Sequence, residues 1–80
     1  MKIQLIEGSF DKQDALNLLS KIIKVKIDFH ESKIDANLNA EDIRMREQKI
    51  KKLQNNLMDL RNQINVSSSR IIINSSIEIE

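Results

Sequence analysis

Between residues 12 and 36 the apolar positions recur at helical spacing on two stripes instead of one. Ala15, Leu18, Ile22, Val25 and Phe29 form the first; Leu16, Leu19, Ile23, Ile27 and Ile34, with His30, form the second. A helix lying on a core needs one apolar stripe, so two stripes predict two packing partners. Asp11 is placed to cap this helix, with Ser9 as the alternative cap. Phe10 sits at the staple position, and Asp14 puts a negative charge in the first turn, where it is favourable.

The pattern fails over Asp35-Ala36-Asn37-Leu38-Asn39, which reads as a short connection. Asn39 followed by Glu41 and Asp42 predicts a second N-cap, and the helix it starts runs over 40–65. In that helix Ile43, Ile50, Leu53, Leu57, Leu60 and Ile64 alternate at three- and four-residue spacing, with Arg46 in the remaining slot. This is the a/d seam of a coiled coil.

A short connection makes the two helices antiparallel neighbours. With the turn centred between 37 and 38, helix rise sets residues whose numbers add to about 75 opposite each other. Ile50 then faces Val25, Leu53 faces Ile22, Leu57 faces Leu18, Leu60 faces Ala15 and Arg46 faces Phe29. The expected seam is therefore Leu18, Ile22, Val25 and Phe29 against Ile50, Leu53, Leu57 and Leu60. The second stripe, Leu16, Leu19, Ile23, Ile27, His30 and Ile34, is left uncovered by the second helix; either the terminal strands cover it or the same face of another copy does, which makes it the candidate oligomer face. On that reading a charge at Ile23 breaks assembly, whereas a charge at Leu53 unfolds the hairpin.

The termini read differently. Residues 2–7 alternate as a short strand until Gly8-Ser9 breaks it, and the isoleucine-rich stretch 70–80 reads as a second extended segment after the serines at 67–69. A helical hairpin returns the two segments to each other, so they can pair antiparallel. The fold class expected is mainly α (α+β): one domain over 1–80, an antiparallel, coiled-coil-like two-helix hairpin flanked by short terminal β-strands, dimerised.

Size strengthens the case for association. A chain of eighty residues buries only ~60% of its unfolded surface, and without cysteine it has no disulfide to compensate. A second copy is the available source of buried area. The same lack of cysteine fits a reducing compartment, and no apolar run reaches the ~18 residues of a membrane span, so a cytoplasmic protein without membrane partners is expected. Thirteen basic against twelve acidic residues leave a net charge of +1, which does not by itself point to nucleic acid.

Candidate chemistry is sparse. His30 is the single histidine, and no His-Glu-x-x-His or Glu-x-x-His spacing accompanies it. It reads as a packing or hydrogen-bonding group, with no metal or cofactor expected. Lys26 and Lys33 lie between the two stripes, where they either snorkel at a groove edge or line a cleft that captures an anion. Arg46, the one polar seam residue, reads as a register device. Arg44, Lys49, Lys51 and Lys52 scatter around the helix, the pattern of a solvated surface.

The strand-helix-helix order resembles the ribbon–helix–helix DNA-binding proteins in outline, and the resemblance implies that Lys2, Gln4 and Ile6 form an outward set on the first strand. Both helices are roughly twice as long as that family's, and no family is assigned. With no nucleophile–base pair in view, the expected function is that of a non-enzymatic, homo-oligomeric protein–protein interaction or scaffold module. The alternative is a DNA- or RNA-associated accessory factor using Arg44, Lys49, Lys51 and Lys52.

Overall fold

The computed structural model describes residues 1–35 and 38–80. Strand β1 spans Lys2–Phe10, helix α1 Lys12–Ser32, helix α2 Ala40–Val66 and strand β2 Ile71–Glu78. The helices pack against each other as a hairpin, and the strands close into a two-stranded antiparallel sheet at the chain ends. The expected end of α1, Ala36, and the expected turn centre beside Asn37 lie outside the described residues.

Local chemistry sets both helix starts. The Asp11 side chain accepts from the Asp14 amide at 2.8 Å, and Asn39 accepts from the Asp42 amide at 2.8 Å. Each thereby satisfies one of the amides that a first turn leaves without a partner. Helix α1 ends in tightened i→i+3 bonds, Lys33 N to His30 O at 3.2 Å and Ile34 N to Glu31 O at 3.1 Å. Ser32 Oγ, donating to Phe29 O at 2.7 Å, takes up one more terminal carbonyl.

Strand β1 does not stop at Gly8-Ser9. It continues to Phe10, with Gly8 opposite Ile73 and Ser9 opposite Ile72. Arg70 secures this end by donating from Nε to Ser9 Oγ and from Nη2 to Ser9 O, both at 2.9 Å. At the other end Met1 and Ile79 exchange two bonds, Met1 N to Ile79 O at 2.6 Å and Ile79 N to Met1 O at 2.7 Å.

Opposed residues of an antiparallel pair share a face, so Ile6, Gly8 and Phe10 share one with Ser75, Ile73 and Ile71. That face meets the helices: Ala15, Ile64 and Ile73 are buried together, with Ile6, Phe10, Leu16, Leu18, Leu19, Leu60 and Ile71 packed around them. The core thus sits at the open end of the hairpin, where both helices and both strands converge. A second buried point, Ile23 and Leu53, lies midway along the helices.

A β-bulge interrupts the sheet. Gln4 pairs with Ser76 and Ile6 with Ser75, leaving Leu5 as an extra residue on β1. The bulge reverses the alternation, so Ile6 joins the core face and does not share one with Lys2 and Gln4. The outward set implied by the ribbon–helix–helix resemblance does not form, and β1 pairs with β2 of its own chain.

Candidate functional site

In its middle and C-terminal turns α1 presents to α2 a different face from the one expected. Val25 and Phe29 were expected in the helix–helix seam, yet they are 67% and 54% exposed. Ile23, from the stripe expected to face a partner copy, is 9% exposed, and so is Leu53 on α2. Leu16 and Leu19 pack on the main core, Ile27 lines an interhelical hollow with Leu57, and Ile34 is half-buried. Leu18 and Ile22 keep partial cover, and Ile50, Leu57 and Leu60 of α2 are half-buried. Ile23 and His30 therefore turn toward α2 and Val25 and Phe29 turn toward solvent, while Ala15 and Leu18 of the first stripe stay on the core.

One polar contact accompanies this arrangement. Arg46 occupies a seam position of α2, and its Nη1 lies 2.9 Å from His30 Nδ1. Had α1 presented its first stripe, Arg46 would have faced Phe29, a ring with no hydrogen-bond acceptor. A partly desolvated guanidinium without an acceptor is costly. Rotating α1 by one residue, ~100° around its axis, gives Arg46 an acceptor and still puts isoleucines against the leucines of α2. Phe29 stays outside, edge-on to His30 at 5.6 Å between ring centroids and 68° between planes, with Lys33 Nζ 5.4 Å from its centre.

Two surfaces result. The first is an apolar trough lined by Leu5, Leu18, Ile22 and Val25 with the stems of Lys21 and Lys26. Leu5 reaches it from the bulge of β1. Sequence reading missed Leu5, although the adjacent apolar pair Leu5-Ile6 in an otherwise alternating strand is the signature of a bulge. Ile3 and Ile77, opposed across the sheet, are also part-exposed.

The second surface is a groove of about 350 Å³ between the helices, lined by Lys26, His30, Lys49, Lys52, Leu53 and Asn56. Of the four α2 residues weighed for nucleic-acid contact, Lys49 and Lys52 line it; Arg44 and Lys51 are exposed and do not. Arg46 lines the adjoining hollow with Leu38, Asp42, Met45 and Lys49. Among the described residues the ion pair within 4 Å is Lys24–Asp28 at 3.4 Å, on the exposed side of α1.

The environment acts on His30. Burial, and then the positive charges of Arg46, Lys49 and Lys26, hold its pKa below the ordinary histidine value. The hydrogen bond agrees: guanidinium only donates, so Nδ1 accepts, and a neutral ring carries its proton on Nε2. Among the described residues no three His, Asp or Glu side chains are grouped to hold a metal ion, and no helix is long and apolar enough to cross a membrane. No family model, curated protein or solved structure matches the chain.

Proposed function

We propose that this chain is a non-enzymatic module that works by self-association: a helical hairpin that pairs with a second copy and serves as a protein–protein interaction or scaffold element. The observation that carries this reading is surface area. The chain exposes 6401 Å², whereas a folded monomer of its mass exposes about 5,000 Å². The surplus, on the order of 1,400 Å² per chain, exceeds the ~800 Å² that each partner contributes to a standard interface.

Shape agrees with area. The radius of gyration is 15.4 Å and the extents are 46 × 34 × 14 Å, against about 12 Å expected for a compact chain of this length. A plate this thin has little interior. The surface assigned to the second copy is the trough of Leu5, Leu18, Ile22 and Val25, continued by Phe29. Its apolar residues on α1 recur at four- and three-residue spacing, as a helix–helix contact requires.

Sedimentation equilibrium over a concentration series tests the reading. The expected result is a mass of two chains, falling to one chain in Val25→Asp while far-UV circular dichroism is unchanged. A wild-type mass of 9.3 kDa held into the high micromolar range overturns it.

A further inference from the structure

We propose that the interhelical groove bounded by Lys26, His30, Lys49 and Lys52 binds a phosphate-bearing anion. The groove is complete within one chain, and Lys26 is the residue it shares with the trough assigned to the second copy.

The groove gathers donors and excludes acids. Lys26 and His30 are one turn apart on α1, and Lys49 and Lys52 are one turn apart on α2, so cations approach from both walls. No carboxylate lines it. Asp42 lines the adjoining hollow with Arg46 and Lys49 and makes no ion pair with either. Like charges converging from two elements repel, and an anion seated among them removes that repulsion.

The hydrogen-bond inventory points the same way. Each lysine ammonium offers three donors and no acceptor. Because Arg46 occupies His30 Nδ1, the neutral ring offers the groove only the donor Nε2–H. Arg46 and Lys49 face this ring from α2 and Lys26 faces it from its own helix. Asn56 adds an amide to the lining. A ligand that meets several ammonium groups at once needs several charged oxygens, and a phosphate, with up to two negative charges and three free oxygens, fits that demand better than a single carboxylate.

The single histidine reports on the site. The ring C2 proton of His30 is followed by proton NMR while inorganic pyrophosphate is added, with sodium chloride at matched ionic strength as the control. We expect a saturable shift with pyrophosphate alone, accompanied by a rise in the His30 pKa as the bound anion offsets the lysines. The double substitution Lys49→Gln/Lys52→Gln is expected to weaken binding at least tenfold, and Arg44→Gln/Lys51→Gln, the same loss of charge outside the groove, to change it less than twofold.

A second arm uses a single-stranded oligonucleotide. Tighter, steeply salt-dependent binding that needs the same two lysines assigns the phosphate to a nucleic-acid backbone. Binding no tighter than pyrophosphate assigns it to a small free phosphate compound. Absence of a saturable shift, an equal shift with chloride, or equal losses in the two double variants overturns the proposal.

Discussion

Arg46 and His30 meet across the hairpin, Nη1 to Nδ1 at 2.9 Å, a part-buried polar contact between the two helices. Protonation of Nδ1 would put an N–H where the guanidinium needs an acceptor. The contact therefore requires the neutral ring, as the lowered pKa of His30 also does.

Folding stability should consequently depend on pH through His30. Between its lowered folded pKa and the ordinary value of about 6.5, the unfolded chain binds more protons at this residue than the folded one. Its contribution is then fully present above the unfolded pKa and is lost as pH falls through the folded one. Melting temperatures followed by circular dichroism from pH 8 to pH 5 should fall with acid. His30→Asn, whose amide oxygen can take the place of Nδ1 as an acceptor without titrating, should flatten that dependence. A wild-type profile as flat as the variant's would contradict the assignment.

Charges placed on the two stripes of α1 should behave oppositely. Ile23→Asp and Leu53→Asp each bury a carboxylate without a partner, at about 3–5 kcal/mol, and both should abolish the cooperative far-UV melt. Phe29→Asp, at a position 54% exposed in the single chain, should cost the hairpin of one chain no more than about 0.5 kcal/mol as a surface change, while weakening its pairing with the second copy. This reverses the sequence expectation that a charge at Ile23 would spare the hairpin.

The junction core should tolerate neither loss nor gain of volume. Ile64 is 4% exposed and Ala15 is 0% exposed, both against Ile73. Ile64→Ala should cost about 2–5 kcal/mol through lost burial and the cavity left behind. Ala15→Leu should cost about 1–3 kcal/mol by overpacking. Urea titrations with an unchanged slope and a lowered midpoint would show both effects.

Removing the cap of α2 should have a smaller, local effect. Asn39→Ala leaves the Asp42 amide without its 2.8 Å partner, at a cost of about 1 kcal/mol. Hydrogen exchange should quicken over the first turn of α2 and stay unchanged near Leu53. Uniform acceleration along the helix would show that the cap governs global stability.

What the residues alone determined is local or periodic. Asp11 and Asn39 cap through amides three residues away, and the spacing from Ile43 to Ile64 defines a seam wherever the partner lies. Isoleucine-rich ends joined to a helical hairpin bring their own edges together. Tertiary structure decided which stripe of α1 turned inward, because both stripes are apolar and periodicity cannot rank them. The inward face brings His30 to Arg46, which thereby gains an acceptor, and the terminal sheet holds the start of α1 on the same core. The same arrangement exposed Val25 and Phe29 and placed Lys26 and His30 across from Lys49 and Lys52. Neither surface existed until two helices distant in sequence settled their relative rotation.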